Sequence, residues 1–318
     1  MPEPTTFATR ARSLRGSLTW LLAPAIDEPP RAHAVGAAAL RILLGLMWLY
    51  NVSWKRAPDF GRSADNGLYH FTSYAVSHPV FPPYSWAVEH LVLPAFTPFG
   101  LLVLFLETTL AVLLLTGSFV RLAAALGIVQ SLAIGLSVAY APNEWPWSYW
   151  LMIGAHLLLL VSAGGRVLAV DAVRAGWTTG RVLGLAWGGL SVLVGLASVV
   201  QSFGDPLAAR GPGLGSSALS VSLGSYNLAG GVVLIVAGSL LLVTASSGAR
   251  LPAVAAAVLA AVAGLSLHAQ LGFSDPFLGG NPTSAAYLFC LTLVGAALGR
   301  FGSRDRVAPP TDRVDTPT

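Results

Sequence analysis

The sequence predicts an all-α, polytopic membrane protein with about eight transmembrane helices, arranged as two tandem four-helix bundles. Two observations are compositional: hydrophobic residues make up 54% of the 318-residue chain and charged residues only 10%, whereas a soluble domain carries about 25% charged residues. The third is that the apolar residues fall into eight runs, and a helix needs about 20 such residues to cross a bilayer. The predicted spans are residues 34–54, 98–117, 121–140, 148–163, 181–201, 226–245, 251–271 and 284–300.

The chain begins with a polar segment, residues 1–33. Within it, residues 7–22 are predicted to form a short interfacial helix whose Trp20 dips into lipid, or else a solvated cytoplasmic tail. The segment does not fit a signal peptide, because the first apolar run is longer than the roughly 7–15 residues of a signal-peptide core. The last segment, residues 301–318, is polar and proline-rich and is predicted to be a disordered cytoplasmic tail.

The two halves of the membrane region repeat one layout: span, long connection, span, tight basic turn, span, polar loop, span. The turn before Arg121 corresponds to the turn before Arg250 in the second half. We therefore predict two four-helix units in parallel orientation, residues 34–173 and 174–300, related by an axis along the membrane normal. The alternative is coincidence, since any eight-span protein can be cut in two.

The distribution of Lys and Arg predicts the orientation. The net charge of +4 is small, and the basic residues lie at the ends of spans rather than in a patch, which argues against nucleic-acid binding. One side holds Arg10, Arg12, Arg15, Arg31, Arg121, Arg166, Arg174, Arg181, Arg250, Arg300, Arg304, Arg306 and Arg313, and the other holds Lys55, Arg56, Arg62 and Arg210. By the positive-inside rule, we predict a multi-pass protein of the cell membrane with both termini cytoplasmic.

Arg41, Glu107 and His156 are ionisable residues that lie inside predicted spans of the first half. Ionisable side chains at membrane depth are costly and indicate a functional site by default. The helical rise places all three at roughly 10–15 Å from the cytoplasmic boundary, so they could share one level and act as catalytic residues. An Arg–Glu pair would cancel charge, and a histidine beside a carboxylate could pass a proton to a quinone headgroup. The alternative is a buried Arg–Glu clamp, with the histidine bonded to a backbone carbonyl.

The sequence of the second half helps to decide between a functional site and a structural clamp. The matched register places Val236 and Cys290 where the first half has its acid and its histidine. If these side chains were only a requirement of the fold, both halves should need them. The difference favours a site in the first half, with the second half as support.

A second polar and aromatic group is predicted on the outer side. The candidate substrate-binding residues are Trp54, Lys55, Arg56, Glu144 and Trp145. The two cations could hold an anion such as a sulfur oxyanion through charge-assisted hydrogen bonds. Interfacial anchoring, in which Trp and Lys are common, is the favoured alternative for this group.

Metal and disulfide chemistry have little support in the sequence. His70, His78 and His90 are spaced by eight and twelve residues and form no tight ligand pair. Cys290 is the only cysteine, which excludes an intrachain disulfide and a thiolate metal cage. We predict no metal or haem site.

Four segments of the first half together resemble the DoxX/DoxD-like family of small integral membrane proteins. They are LRILLGLMWLYNVSWK, LETTLAVLLLTGSFVRLAAALG, APNEWPWSYW and GGRVLAVDA, and the resemblance covers about residues 36–173. It implies a four-helix bundle, and one branch of the family is the small subunit of thiosulfate:quinone oxidoreductase. The residues that fall on the family pattern are Arg41, Lys55, Glu107, Arg121, Glu144 and Trp145, with Gly117 and Arg121 assigned to structural roles at the tight turn.

The resemblance implies a quinone-linked oxidoreductase subunit in sulfur or oxidative-stress metabolism, with quinone as cofactor and a redox partner subunit beside it in the bilayer. One alternative is a non-catalytic membrane scaffold or assembly partner of a redox complex, suggested by the lack of a cofactor motif. The other is a small-molecule transporter, suggested by parallel repeats.

Overall fold

The computed structural model describes residues 16–25, 30–270, 274 and 276–302, and this part of the chain is mostly helical. The elements are α1 (Arg31–Ser53), α2 (Gly67–Ser77), α3 (Pro82–Ala87), a π-helix (Val88–Val92), α4 (Phe96–Thr116), α5 (Val120–Val138), α6 (Pro146–Leu160), α7 (Val170–Arg174), α8 (Arg181–Gln201), β1 (Gly213–Ser216), β2 (Val221–Ser225), α9 (Leu228–Ser247), α10 (Arg250–Gln270) and α11 (Pro282–Phe301).

Seven helices of the described chain are long and apolar enough to cross a membrane: α1, α4, α5, α8, α9, α10 and α11. The prediction of a helical, multi-pass membrane protein is confirmed at this level. The fourth predicted span coincides with α6, which has 15 residues. At about 1.5 Å per residue α6 is shorter than the roughly 30 Å hydrocarbon core. An eighth crossing therefore stays a prediction.

The first half has its own apolar core, formed by buried side chains of α1, α4, α5 and α6. Ala286 and Cys290 of α11 are also buried in this core, so the last helix of the chain completes the packing of the first half. The rest of the buried face of α11 packs with α8, α9 and α10. The two halves thus meet along α11. Their origin by duplication stays a prediction.

Helices α8 and α9 pack closely because glycines face each other at two levels. A Cβ on Gly188 would lie 2.8 Å from the carbonyl oxygen of Gly238, and one on Gly195 would lie 2.7 Å from that of Gly231. Small residues at such positions let helix backbones approach in a membrane. Helices α8 and α9 are therefore a closely packed pair within the second half.

The connections between the long helices contain short helices and strands that were not predicted from the sequence. The long connection between α1 and α4 forms α2, α3 and the π-helix, and the connection between α8 and α9 forms an antiparallel β1–β2 hairpin with a register shift between Gly213 and Gly215. At the N-terminus, residues 16–22 are helical and Trp20 is 42% exposed. The remainder of the predicted interfacial helix and the C-terminal tail lie outside the described residues, apart from residues 301 and 302.

Candidate functional site

A cavity of about 440 Å³ lies among α1, α4, α5 and α6, with α2, α3 and the π-helix along its outer side. Most of its wall is apolar. The lining residues with polar side chains are Asn51, Trp54, Lys55, Thr72, Tyr84, Glu107, Gln130, Ser137, Glu144 and Tyr149. This size and this mixture of apolar wall and few polar groups are typical of a small-molecule site.

Helical periodicity explains why α4 and α5 each contribute one stripe to the wall. On α5, Gln130, Ile134 and Ser137 recur at spacings of four and three residues. On α4, Phe99 and Leu106 are seven residues, or about two helical turns, apart, and Glu107 follows Leu106 in the wall. Residues at these spacings lie on one helix face.

The cavity wall contains a buried ion pair. Lys55 follows α1, and its Nζ lies 2.5 Å from Oε2 of Glu107, near the middle of α4. The side chain of Lys55 is 1% exposed and that of Glu107 is 2% exposed. Nζ also donates to the carbonyl oxygen of Asn51 at 3.0 Å and lies 3.9 Å from the ring centroid of Trp54. Gln130 completes the group, since its Nε2 donates to Oε1 of Glu107 at 3.3 Å.

Burial and the ion pair act on Lys55 in opposite directions. Desolvation lowers the pKa of Lys55 below its ordinary value of 10.5, and the Glu107 carboxylate raises it again but does not fully compensate. The physical reason is that a buried ammonium loses its hydration shell. Lys55 therefore gives up a proton more readily than an exposed lysine does.

A second polar group lines the same cavity. The hydroxyl groups of Tyr84 and Ser137 are 2.9 Å apart, and Ser137 also donates to the carbonyl oxygen of Ala133 at 2.9 Å. Tyr149 donates its phenolic proton to Oε2 of Glu144 at 2.5 Å. Gln130 and Ser137 are seven residues apart on α5, so the two groups are separated by a rise of about 10 Å along this helix. The cavity is thus polar at two levels and apolar between them.

Arg41 does not join this site. Its Nη2 donates to the carbonyl oxygens of Leu168, at 3.0 Å, and Val167, at 3.4 Å. Lys55 lies about four helical turns, or roughly 20 Å, beyond Arg41 in the direction of α1. Arg41 and Glu107 therefore do not form the anticipated pair. Arg41 instead holds the segment between α6 and α7, where the carboxylate of Asp171 is close enough to act on its charge.

Asp171, in α7, has a structural role at this end of the bundle. It is fully buried, and its two carboxylate oxygens accept the backbone N–H groups of Phe119 at 3.0 Å and Val120 at 3.1 Å. Arg174 also donates to it at 2.7 Å. Asp171 therefore caps the N-terminus of α5 from a distant segment, where the N-cap residue Phe119 provides no side-chain cap of its own.

His156 is buried in α6 but does not line the cavity. Its Nε2 lies 3.0 Å from the indole Nε1 of Trp48, and its Nδ1 lies 2.8 Å from the carbonyl oxygen of Met152. Indole is only a donor, so Nε2 accepts and Nδ1 carries the proton. A Cβ on Gly127 would lie 2.1 Å from the His156 ring, so this glycine makes room for the histidine between α5 and α6. This arrangement corresponds to the alternative in which the histidine bonds a backbone carbonyl.

The other predicted residues divide between the cavity, the surface and the tight turn. Trp54, Lys55 and Glu144 line the cavity, whereas Arg56 and Trp145 are exposed and do not. Gly117 ends α4 with φ 67°, and its N–H bonds back to the last turn. Arg121, in the first turn of α5, is buried and lies 4.7 Å from the ring of Trp20.

Sequence reasoning missed Gln130, Tyr84, Ser137 and Tyr149 as cavity residues. A signal was present for one of them, because Gln130 is an amide inside a predicted span, and polar side chains there rarely face lipid. For the two tyrosines there was none, since interfacial tyrosines are ordinary in membrane proteins. Within the described ranges, no group of three or more His, Cys, Asp or Glu side chains could hold a metal ion.

Comparisons with known proteins place the chain in no group. It matches no family model, no curated protein and no solved structure. The resemblance to the DoxX/DoxD-like family therefore rests on the residues quoted above. The class that the fold itself defines is a multi-pass helical membrane protein with a cavity in its first half.

Proposed function

We propose that this protein is a membrane subunit of a quinone-linked oxidoreductase and that it binds a quinone headgroup in the cavity beside Lys55 and Glu107. The observation that carries the proposal is the buried Lys55–Glu107 pair in the wall of an otherwise mainly apolar cavity of about 440 Å³. A buried ion pair contributes little net stability compared with apolar packing. Its position facing a cavity is explained if a ligand uses it.

The polar groups suit a ligand that accepts hydrogen bonds. A lysine ammonium has three donors, and Glu107 and Asn51 take two of those on Lys55. Gln130 likewise donates one of its two amide N–H groups to Glu107. The third N–H of Lys55, beside the Trp54 ring, and the second amide N–H of Gln130 can then donate to an oxygen of the ligand, such as a quinone carbonyl.

The charges of the lining favour a neutral headgroup over an anion. Among the described residues of the lining, two carboxyl groups, Glu107 and Glu144, face the cavity, and Lys55 is the one basic residue. Arg56, which was predicted to help hold a sulfur oxyanion, is exposed and outside the lining. An anion entering beside these carboxylates would be repelled at low dielectric. A quinone carries no charge and meets no such penalty.

When bound, a quinone would supply two-electron chemistry, with electrons from a partner subunit or a reduced sulfur compound. The chain's own residues would orient the headgroup and hold protons. Lys55 holds a proton at Nζ with a lowered pKa, and Glu107 beside it stabilises the charged form. Transfer of a proton between this pair and the headgroup is the step that the geometry allows.

The experiment is gentle purification from native membranes, followed by mass spectrometry of all bound lipids and proteins. We expect about one quinone per chain in the wild type, a marked loss in Glu107→Gln, and no loss in Glu89→Gln. Glu89 is the control because its side chain is 56% exposed and lies outside the cavity lining. A stoichiometric protein partner without any quinone would instead support the scaffold alternative and reject this proposal.

A further inference from the structure

The exposure of the lining residues shows where the cavity meets the surface. Among all the residues of the lining, two are exposed, Phe71 at 41% and Leu102 at 62%. Both have large apolar side chains. A residue that lines a cavity and is also exposed lies at its rim, so the rim is apolar at both places. None of the polar lining residues is exposed to this degree.

Leu102 lies on the lipid side of α4. Its neighbours on the helix surface, Leu101 and Phe105, are 40% and 63% exposed. It is the seventh residue of α4, about 9 Å from the start of the helix. A surface of large apolar side chains at this depth on a membrane-spanning helix faces hydrocarbon. The rim at Leu102 therefore opens towards lipid.

Part of the cavity wall on the side of the long connection is buried. Leu68 and Thr72 of α2 and Val88 of the π-helix line it there, and all three are buried. Thr72 also donates to the carbonyl oxygen of Leu68, so its hydroxyl is bound within α2. These residues close part of the wall on the side of the long connection, although Phe71 of α2 is exposed. Leu102 is the exposed rim residue that lies on a membrane-spanning helix.

We infer that the ligand enters the cavity sideways from the bilayer past Leu102, and that it is an amphiphile whose neutral polar head lies at Lys55 while an apolar tail stays in this opening. The inference deepens the proposed function and rests on it for the identity of the headgroup. It adds a property that the polar site alone does not require, because a small water-soluble molecule could also use Lys55 and Glu107. The specificity residue for the tail is Leu102.

The first test compares two benzoquinones with the same ring, one with a decyl tail and one with a methyl group, in protein-loaded nanodiscs corrected for partition into empty ones. We expect Leu102→Trp to weaken binding of the decyl compound by about tenfold, the loss expected when roughly two buried methylene groups are displaced. Binding of the methyl compound should change less than about threefold on the same scale. Leu101→Trp, which alters a lipid-facing neighbour outside the lining, should affect neither.

Equal weakening of both compounds by Leu102→Trp, or weakening of neither, would overturn the inference. If neither quinone binds the wild type, the proposed function is rejected. A second measurement then still tests the inference about the route of entry. A long-chain alcohol with a diazirine at its end is photolysed in the nanodiscs, and labelled residues are located by mass spectrometry. Labelling of Val103, which lines the cavity and is 8% exposed, is expected in the wild type and should be lost in Leu102→Trp. An unlabelled Val103 in the wild type would show that no apolar chain enters.

Discussion

Nζ of Lys55 lies 2.5 Å from Oε2 of Glu107, and both side chains are almost fully buried. One residue follows α1 and the other lies near the middle of α4, so the pair joins two helices of the first half. Each charge compensates the other in a region from which water is largely excluded. The pair should therefore behave as one unit when either member is changed.

A double-mutant cycle tests this coupling. We expect Lys55→Met and Glu107→Met each to lower the free energy of unfolding by about 3–5 kcal/mol, because each leaves an unpaired buried charge. The double variant should lose less than the sum of the two, since no charge is then left behind. Chemical unfolding in detergent measures all three. Additive losses would show that the two groups do not interact.

The lowered pKa of Lys55 predicts a pH dependence of ligand binding. Below this pKa the ammonium can donate to a carbonyl oxygen, and the donor weakens as the pH rises through it. Because burial lowers the pKa below 10.5, binding of a benzoquinone should fall at a lower pH than an exposed lysine would cause. Glu107→Gln removes the carboxylate that raises this pKa, so the fall should move to still lower pH.

The control for this pH profile is Lys55→Gln, in which no proton can be lost at this position. Affinity in this variant should be weaker throughout and flat over the same range. Equilibrium binding of the benzoquinone across the range provides the measurement. A wild-type profile as flat as that of Lys55→Gln would contradict the prediction.

The comparison of Arg41 with Lys55 shows how far the sequence could predict this site. Helical rise placed Glu107 and Arg41 at similar depth, and depth was the only coordinate that the sequence provided. The partner of a buried charge also depends on which neighbour faces it. Arg41 donates to the carbonyl oxygens of Val167 and Leu168. Lys55, which follows α1, forms the ion pair with Glu107.

The helices themselves were easier to predict than the contacts between them. Long apolar runs identify spans because the bilayer sets their length, and all seven long apolar helices of the described chain coincide with predicted spans. The placement of α7 beside the start of α5 could not be predicted, because the bonds of Asp171 to Phe119 and Val120 join residues about 50 positions apart. The contribution of α11 to the first core is likewise tertiary.

Asp171→Ala should destabilise the protein although it lies far from the cavity. The change removes the acceptor for two buried backbone N–H groups at the start of α5 and for Arg174. Loss of a helix cap with unsatisfied donors left behind is expected to lower the free energy of unfolding by about 2 kcal/mol or more. Asp59→Ala is the matched control, because Asp59 is exposed and its carboxylate accepts hydrogen bonds from the nearby Ser63. Equal losses in thermal unfolding would show that the cap is unimportant.

His156→Phe separates a structural histidine from a catalytic one. The change leaves the indole N–H of Trp48 without its acceptor, which should lower the free energy of unfolding by about 1–3 kcal/mol. Because His156 does not line the cavity, benzoquinone affinity at a temperature where the variant is folded should stay within about threefold of the wild type. The double variant with Trp48→Phe should recover part of the stability. Complete loss of binding in a folded variant would restore the catalytic role predicted from the sequence.

Gly117 and Gly248 each end a membrane-spanning helix and provide a matched pair of substitutions. Both follow a spanning helix with positive φ, 67° and 71°, so alanine is strained at either position by roughly 1 kcal/mol. At Gly248 an added Cβ meets no atom within 4 Å, whereas at Gly117 it would overlap Nη1 of Arg41 and approach Ala169 within 2.5 Å. Gly117→Ala should therefore displace Arg41 from the carbonyl oxygens of Val167 and Leu168 and lower the melting temperature well beyond Gly248→Ala. Equal shifts would mean that the close approach of Arg41 does not constrain the turn, and that only the backbone conformation, which both halves share, selects glycine there.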